Sequence, residues 1–419
     1  FEFNGAKQLA VKDGALVIQG EDGSVRLEAP RVYQEIAGTQ QSVDGRFVLR
    51  GANRVGFAIG SYDHSRELVI DPILNFSTYF GGVLDELNSS IAVDGALNIY
   101  LAGSTNSPSL ATAGTLQSAL GGTRNVYIAK ITPPLGSTPA ALLYVTYLGG
   151  NGSDSPAGIQ VDGSGGPCVA GTTSSTNFPT TKLTAYQNGP EPGSPGPHVF
   201  VTELNSSATG LQYSSYLSGN GSDVASGMAI DSGGFIYITG TTTSSDAAST
   251  NVQFPASTIP QALPFQNAPR ASLQFFVTKV NPRSHVAGSI AYSTYFGGGS
   301  FNTPTPVAVG GGIAVDTPGN VYFTGTTNFI YSGCSGCSST DFPILNPYQP
   351  CLDQPPPTTI TTPPTCSATT NTTLSDAFVA KLNPNAKQGE QLIWSTYLGG
   401  SGTDLGAGIA LDPGAANVY

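Results

Sequence analysis

One phrase recurs five times in this chain: an aromatic strand pattern that ends in two small residues, usually Gly-Gly. The copies lie at 76–82, 144–150, 213–219, 292–298 and 394–400. Each is followed by a second phrase of the type Ile-Ala-Val-Asp, then by a Gly-rich turn and another apolar run. Self-similarity on this scale predicts a repeat architecture in which each copy contributes one structural unit.

The apolar runs within one unit are short, rich in Val, Ile, Tyr, Phe and Thr, and bounded by Gly, Pro, Asn and Asp. This pattern is typical of strands and turns. In the fourth unit it predicts strands at 312–316, 320–325, 377–382 and 391–398. Four short antiparallel strands in each repeat describe a propeller blade, so the sequence predicts an all-β fold.

Counting units predicts four complete blades, at about 90–148, 157–217, 227–296 and 311–398, and a fifth that begins at 408–419. The strand pattern at 74–80 resembles an outermost strand but has no blade before it. We expect it to pair with a last blade beyond residue 419, because closing the ring removes exposed sheet edges. The propeller at 74–419 is therefore expected to be truncated within a blade, and the chain to be part of a longer or processed protein.

The units are longer than the roughly 40–50 residues of common propeller repeats. The additional residues lie between the second and third strands, for example at 172–197 and at 326–376. In an antiparallel meander this loop emerges on the same rim as the loop that joins successive blades. Loops extended on one rim predict a recognition surface there.

The motifs of the fourth unit allow a comparison with known repeats. They are Tyr-Ser-Thr-Tyr-Phe-Gly-Gly at 292–298, Gly-Ile-Ala-Val-Asp at 312–316, Gly-Asn-Val-Tyr-Phe-Thr-Gly at 319–325, Asp-Phe-Pro at 341–343 and Ala-Phe-Val-Ala-Lys-Leu-Asn-Pro at 377–384. Together they resemble the bacterial SBBP propeller repeat, over roughly residues 74 to 419. The resemblance implies a secreted or cell-surface protein, large and modular, without an assigned catalytic activity.

Residues 1–73 are predicted to form a separate, incomplete β-rich domain. Its motifs at 30–35, and from Tyr62-Asp63 through 68–72, are similar to the domain that often precedes SBBP repeats. Asp-Gly pairs at 13–14, 22–23 and 44–45 separate alternating apolar runs. Because Asp-Gly favours tight turns between paired strands, each pair predicts a hairpin.

Charge limits the possible partners. The chain has 16 Lys and Arg against 27 Asp and Glu, a net charge of −11, and no basic stripe, which argues against nucleic acid and anionic membranes. No stretch approaches the ~20 apolar residues of a membrane span, so membrane insertion is not expected. The expected partner is a protein or glycan at the cell surface, or a second copy of the chain.

Aspartates recur just after the blade junctions, at Asp85, Asp154, Asp223 and Asp404. Oxygen ligands in Gly-rich loops can hold calcium. An Asp repeated once per blade also accepts backbone N–H bonds in its own turn, and we favour this second interpretation. No cofactor is therefore predicted, with calcium as the alternative.

A second set of aspartates ends the first strand of each unit. These are Asp94, Asp162, Asp231, Asp316 and Asp412. Asp is favoured at the first position of a turn, so a structural role in turn capping is predicted. Lys130, Lys279 and Lys381 recur on the third strand, with Glu203 at the equivalent place in the second unit. These lysines are expected to be solvated or paired with an Asp.

Four of the five cysteines fall in the insertion at 326–376: Cys334, Cys337, Cys351 and Cys366. A zinc site has weak support, because the second pair is not closely spaced and no His lies nearby. Two disulfides are expected instead, in an oxidising compartment. The preferred pairing is Cys334 with Cys337 and Cys351 with Cys366, among three possible connectivities.

No catalytic constellation stands out. The three histidines, His64, His198 and His285, are scattered, and neither a Gly-x-Ser-x-Gly elbow nor a metalloprotease helix is present. We therefore expect a non-enzymatic extracellular propeller that acts in adhesion, binding or surface assembly through its long loops. The alternatives are a filament subunit that assembles by strand complementation and a carbohydrate-binding or carbohydrate-active propeller.

Overall fold

The computed structural model consists of strands and turns. The residues that it describes are 3, 7–19, 24–36, 38–51, 53–71, 78–134, 139–245, 263–284, 289–299, 305–330, 341–352 and 375–419. No helix in these ranges is long and apolar enough to cross a membrane. The chain divides into two compact units: the first comprises 1–80, 95–97 and 133–140, and the second the remaining residues.

The first unit is built from short antiparallel strands. Those described are β1 (Gln8–Lys12), β2 (Ala15–Gln19), β3 (Ser24–Leu27), β4 (Arg31–Ile36), β5 (Thr39–Val43), β6 (Gly45–Leu49), β7 (Val55–Ile59) and β8 (Val69–Asp71). They form sheets in the orders β1-β2-β3 and β5-β4-β8 and the pair β6-β7. Leu9, Leu16, Phe47 and Val55 form the small core of this unit.

The Asp-Gly pairs of this unit have different outcomes. Asp13 and Gly14 both have positive φ, 50° and 81°, and join β1 to β2 in a hairpin, as predicted. The pair at 22–23 lies outside the described residues. The hairpin predicted at 44–45 is wrong, because Gly45 is already in β6 and is paired with Ile59, whereas β5 pairs with β4. A Cβ at Gly45 would lie 2.2 Å from the Val32 side chain, so close packing explains this glycine.

The second unit contains four successive four-stranded antiparallel sheets, here called blades 1 to 4. Blade 1 contains β9 (Glu86–Val93), β10 (Ile99–Thr105), β11 (Asn125–Thr132) and β12 (Ala141–Leu148). Blade 2 contains β13 (Asp154–Val161), β14 (Pro167–Thr173), β15 (His198–Leu204) and β16 (Leu211–Leu217). Blade 3 contains β17 (Asp223–Ile230), β18 (Ile236–Thr242), β19 (Gln274–Val280) and β20 (Ile290–Phe296). Blade 4 contains β21 (Ala308–Val315), β22 (Val321–Thr327), β23 (Asp376–Leu382) and β24 (Leu392–Leu398).

Within each blade, strands that are neighbours in sequence are paired, and the first strand of each blade contacts the first strand of the next. This is the organisation of propeller blades around their inner strands. The predicted all-β fold of propeller-type blades is therefore confirmed. Residues 410–419 start a further hairpin, in which Ala410 and Tyr419 exchange two backbone hydrogen bonds of 2.9 Å.

The first strand of every blade starts earlier than predicted, because a β-bulge interrupts its pairing with the second strand. The register shifts lie between Ala102 and Ser104, Pro156 and Gly158, Ala225 and Gly227, and Gly310 and Ile313. An extra residue breaks the two-residue alternation by which a strand is recognised in a sequence. The residues just before each bulge, including Asp154 and Asp223, therefore lie in a strand and not in the junction loop.

Each second strand ends in Gly-Thr-Thr, or in Gly-Ser-Thr in blade 1, and the glycine of this motif has a packing role in every blade. The pairs of this glycine with an aromatic residue of the third strand are Gly103 with Tyr127, Gly171 with Phe200, Gly240 with Phe276 and Gly325 with Phe378. A Cβ at Gly240 would lie 1.9 Å from the Val224 carbonyl oxygen and 2.8 Å from the Phe276 ring. Only glycine allows the bulged strand and the ring to approach so closely.

The first strands of blades 2, 3 and 4 each also insert one apolar side chain into the preceding blade. Ile159, Met228 and Ile313 are buried in this way, in clusters that include residues of the blade before them. Ile91, at the same position in blade 1, is 62% exposed. The strand predicted at 74–80 falls mostly outside the described residues, and Thr78 to Phe80 are not in a strand. Its pairing with a last blade thus stays a prediction.

Candidate functional site

The loops between the second and third strands fold back along the outer strand of their own blade. In blade 2, the Gln187 N–H donates to Ser215 Oγ (2.9 Å), and the Tyr216 N–H donates to the Gln187 carbonyl oxygen (3.1 Å). The Gln187 side chain accepts from the Ser218 N–H (2.7 Å) and donates to the Ser218 carbonyl oxygen (2.9 Å). One glutamine thus ties the loop to both the outer strand and the blade junction.

The same glutamine clamp is present in all four blades. The glutamines are Gln117, Gln187, Gln266 and Gln349, and their Oε1 atoms accept from the N–H groups of Gly149, Ser218, Gly297 and Gly399 at 3.1, 2.7, 3.2 and 3.0 Å. Our sequence reasoning missed these residues. A signal exists, because each glutamine directly follows an apolar residue and precedes the third strand.

A tyrosine of each outer strand fixes the other end of the loop. The hydroxyl groups of Tyr147, Tyr216, Tyr295 and Tyr397 donate to the carbonyl oxygens of Ser107, Ser175, Ser244 and Phe329, two residues after the second strand ends. All four rings are buried. Glutamine and tyrosine together hold the described parts of these loops on the rim of the blades.

The junction aspartates of blades 2 and 3 lie at the base of this rim and are fully buried. Asp154 accepts hydrogen bonds from the Gly150 N–H (3.0 Å), the Asn125 amide (2.8 Å) and the hydroxyls of Thr173 and Ser175. Asp223 likewise accepts from the Gly219 N–H at 2.8 Å and the hydroxyls of Thr242 and Ser244, but among the described residues it has no side-chain amide partner. Asp404 accepts from the Gly400 N–H at 2.8 Å.

In blade 1, Glu86 and not Asp85 occupies the position of Asp154. Glu86 accepts from the hydroxyls of Thr105 (2.8 Å) and Ser107 (2.7 Å) and is paired across the strands with Thr105. Burial opposes its ionisation, but hydrogen bonds from Ser107, Thr105 and the Gly82 N–H and the charge of Arg124 lower the pKa of Glu86 overall. Asp85 is exposed and lies 3.7 Å from Arg124.

The grouping of Asp85 with the other junction aspartates is thus wrong. Counting residues from the preceding Gly-Gly, at Gly82 and Gly150, aligns Glu86 with Asp154 and would have shown this. In blade 4 the position is taken by Ala308, which pairs with Thr327 as Asp154 pairs with Thr173.

The surroundings of these carboxylates consist of hydrogen-bond donors. Calcium requires six to eight oxygen ligands, whereas Asp154 and Asp223 face N–H and O–H groups. Among the described residues, no group of three or more His, Cys, Asp or Glu side chains is arranged to hold a metal ion. The geometry favours a role in which the carboxylates satisfy buried donors.

His198 has the contacts that most resemble a catalytic arrangement. Its Nε2 lies 3.2 Å from Ser194 Oγ, its Nδ1 lies 2.9 Å from Ser218 Oγ, and Asp223 Oδ2 is 4.0 Å from Nδ1. The Asp223 distance exceeds that of a hydrogen bond, and the Ser194 hydroxyl is 2.7 Å from the Glu191 carbonyl oxygen, to which it donates. A nucleophile, base and acid in direct contact are therefore not formed.

The equivalent residues in blades 1 and 3 explain His198. Asn125 and Gln274, each at the start of the third strand, donate to the carbonyl oxygens of Gly150 (3.2 Å) and Gly298 (2.9 Å). His198 occupies this place in blade 2 and contacts the junction residue Ser218. By its position, His198 therefore caps the junction between blades 2 and 3.

The opposite end of each blade, where the first and second strands turn, is here called the hairpin end. Its aspartates each accept a hydrogen bond from a backbone N–H of the turn. The acceptors are Asp94, Asp162, Asp231, Asp316 and Asp412, and the donors are Asn98, Ser164, Phe235, Asn320 and Ala416, at 2.7 to 3.0 Å.

In blades 1, 3 and 4 a tyrosine and a lysine complete the hairpin end. The tyrosines Tyr100, Tyr237 and Tyr322 donate to the aspartate at 3.0, 2.8 and 3.2 Å, and the ammonium groups of Lys130, Lys279 and Lys381 lie 4.8, 5.1 and 4.6 Å from the ring centroids. The ammonium is 3.7 Å from Asp94 in blade 1 and 3.5 Å from Asp316 in blade 4.

Blade 2 differs at both positions. Cys168 replaces the tyrosine and Glu203 replaces the lysine, and the two residues are paired across the strands. The Glu203 side chain hydrogen-bonds to Asp162, and burial together with that neighbour raises the pKa of Glu203 to about 7. Cys168 is fully buried, and burial raises the pKa of its thiol well above the ordinary value, so it is poorly reactive.

Comparison with protein families agrees with this repeated geometry. A family model described as a beta-propeller repeat, SBBP, matches residues 75–108 and 212–246. This chain carries SBBP repeats. A second model, described as a domain of unknown function, DUF7948, matches residues 1–73, and no curated protein matches the chain.

The second SBBP match runs from the outer strand of blade 2, β16, through the first two strands of blade 3. The unit of the family model therefore spans a blade junction and includes the junction aspartate Asp223. The first match covers the first two strands of blade 1, β9 and β10, and begins before them.

A cavity of about 500 Å³ lies between the inner strands of SBBP blades 1 to 3. Its lining is formed by small and hydroxyl-bearing residues, including Ser90, Ser155, Thr172 and Ser226, without a charged or aromatic side chain. The predicted disulfide residues Cys334, Cys337 and Cys366 lie outside the described residues, and Cys351 is buried. The disulfide pairing stays a prediction.

Proposed function

We propose that this β-propeller-type protein is a non-catalytic, secreted or cell-surface protein that binds a protein or glycan through the loops on one rim of its blades. The observation that carries the proposal is the glutamine clamp, which holds the loop against the outer strand in each blade. Loops fixed before binding lose less conformational entropy when they meet a partner.

Exposed apolar side chains on this rim give the proposed surface its chemistry. Leu183, in the loop of blade 2, is 88% exposed, and Tyr348, next to the clamp glutamine of blade 4, is 64% exposed. Tyrosine is enriched among the residues that anchor protein interfaces, and an exposed leucine adds apolar surface beside it. The resemblance to bacterial SBBP repeats supports the extracellular location.

Two observations favour binding over the alternatives. For strand complementation, an open outer edge is required, but the N–H groups of Tyr147, Tyr216, Tyr295 and Tyr397 donate to the carbonyl oxygens of the clamp glutamines. This contact covers part of each outer edge. For a carbohydrate-active site, the cavity described above lacks the aromatic face and the carboxylate pair that such sites use.

The location is tested by treating intact producing cells with protease and detecting this protein with an antibody. Loss of the signal without lysis supports the proposal, and full protection overturns the extracellular assignment.

The binding surface is tested by the attachment of cells that lack the gene, complemented with variants. Leu183→Ser with Tyr348→Ser changes the rim, whereas Leu142→Ser changes an equally apolar, half-exposed residue at the hairpin end of blade 1. We expect the Leu142 variant to restore attachment and the rim variant to fail. Equal attachment by both would place the binding surface elsewhere.

A further inference from the structure

The hairpin end of blade 2 carries two acidic side chains where the other blades pair an acid with a base. Asp162 corresponds to Asp94 and Asp316, and Glu203 corresponds to the lysines that lie 3.7 and 3.5 Å from those aspartates. Glu203 is only 7% exposed, whereas Asp162 is half-buried, so water screens the glutamate only weakly from its neighbour. A buried carboxyl group beside a second carboxylate ionises only at a cost.

We propose that Asp162 and Glu203 hold one proton between them, that this proton replaces the lysine ammonium of the other blades, and that its loss loosens the hairpin end of blade 2 above neutral pH. With the proton on Glu203, the carboxylic acid donates a hydrogen bond to the Asp162 carboxylate. Asp162 keeps its turn contacts, the N–H groups of Ser164 (2.8 Å) and Gly166 (2.7 Å).

The groups around the pair fit one shared proton. On β14, the Cys168 thiol faces Glu203 and is neutral, and on β16 the buried Tyr213 is its cross-strand neighbour. Arg283, from the turn after β19, brings a positive charge near Glu203, but this charge offsets only part of the rise in the glutamate pKa caused by burial and Asp162. Its guanidinium is also held by the carbonyl oxygens of Gly233 and Gly234, at 3.4 and 3.2 Å.

The direction of the pH effect follows from the two pKa values. Because the pKa of Glu203 is raised from 4.5 to about 7, the folded blade retains a proton that the unfolded chain releases, and stability decreases between these pH values. Burial opposes ionisation of Asp162, but hydrogen bonds from Ser164, Gly166 and Glu203 lower its pKa overall. The contribution of Asp162 is therefore lost only in acid.

Hydrogen exchange of the full chain at pH 5 and pH 8 tests the proposal, after correction for the intrinsic exchange rate. The hairpin of blade 2, at 160–168, is compared with that of blade 4, at 314–322, where Lys381 pairs with Asp316. We expect the opening equilibrium of the blade 2 hairpin to increase by about 70-fold between these two pH values relative to blade 4, the ratio set by a glutamate pKa of 4.5 in the open hairpin and about 7 in the closed one.

Two variants isolate the proton. Glu203→Gln keeps the size and the hydrogen-bond donor but cannot ionise, and Glu203→Lys restores the base of the other blades. Both are expected to remove the extra pH dependence of the blade 2 hairpin. The proposal is overturned if Glu203→Gln retains the dependence of the unmodified protein, or if both hairpins of the unmodified protein respond equally. An infrared carboxylic-acid band at pH 6 that disappears in Glu203→Gln gives an independent readout.

Discussion

The two ends of the SBBP blades stabilise buried polar groups by different chemistry. At the rim, carboxylates and glutamines accept hydrogen bonds from backbone N–H and hydroxyl groups, as Asp154 and Gln187 do. At the hairpin end, an aspartate is paired with a lysine and a tyrosine, as Asp316 is in blade 4.

Substitutions between blades show what each end requires. At the rim, blades 1 to 3 keep an acid, Glu86, Asp154 or Asp223, because the donors around it need an acceptor, whereas blade 4 has Ala308 at this position. At the hairpin end, blade 2 reverses the charge of one partner, at Glu203, and compensates with a proton. Stability at the rim thus depends on having a hydrogen-bond acceptor for the buried donors, whereas stability at the hairpin end depends on balancing the charge of the aspartate.

The largest effect should come from Asp154→Ala, which removes the acceptor at the rim. The Gly150 N–H, the Asn125 amide and two hydroxyls would remain buried without a partner. We expect the free energy of unfolding to fall by about 3–5 kcal/mol, as for other broken buried networks. Urea unfolding monitored by fluorescence measures this change.

Asp85→Ala is the matched control, since the sequence grouped Asp85 with Asp154. Asp85 is exposed and only 3.7 Å from Arg124, so its loss should change stability by less than about 0.5 kcal/mol. Equal losses in the two variants would contradict the difference between a buried acceptor and a surface charge.

Gln187→Ala should have an intermediate effect, because it breaks the clamp but leaves the strands intact. Two buried hydrogen bonds to Ser218 are lost, at a cost of about 1–3 kcal/mol. Limited proteolysis should cut the loop of blade 2 faster. Asn188→Ala changes the next residue, whose exposed amide contacts only the loop, at Lys182 and Thr180, and it should leave the cleavage rate unchanged.

The sequence revealed the blades because their strands repeat with regular alternation. The fourth-blade strands predicted at 320–325 and 377–382 agree with β22 and β23 to within two residues. The starts of the first strands were missed because a bulge breaks the alternation there. Therefore only the second half of each first strand, after the bulge, shows the alternation by which a strand is recognised in the sequence.

The candidate site was harder to predict, for a physical reason. The clamp glutamines and their junction partners are 32, 31, 31 and 50 residues apart in blades 1 to 4, so the contact joins residues far apart in the sequence and its spacing changes in blade 4. Glu86 could have been found by counting from Gly82. Glu203 was recognised as a substitution, but its shared proton depends on burial and on Asp162, which a sequence does not show.

At the hairpin end, Tyr322→Phe should have a smaller effect than the rim variants. It removes the hydroxyl that donates to Asp316 at 3.2 Å but keeps the ring beneath Lys381. We expect a loss of about 1 kcal/mol, measured by urea unfolding. A loss as large as that of Asp154→Ala would show that the hairpin end depends on hydrogen-bond polarity as the rim does.

The smallest effect is expected from calcium. A calcium ion at Asp154 or Asp223 would have to displace the N–H groups of Gly150 or Gly219, which cannot turn away because they belong to the junction backbone. The melting temperature should therefore be the same in millimolar calcium and in EDTA. A specific site with micromolar affinity would instead add about 3 kcal/mol or more of stability under these conditions. An increase that Asp154→Asn abolishes would show that the rim carboxylates are metal ligands, and the contrast between the two ends would then be one of metal binding against ion pairing.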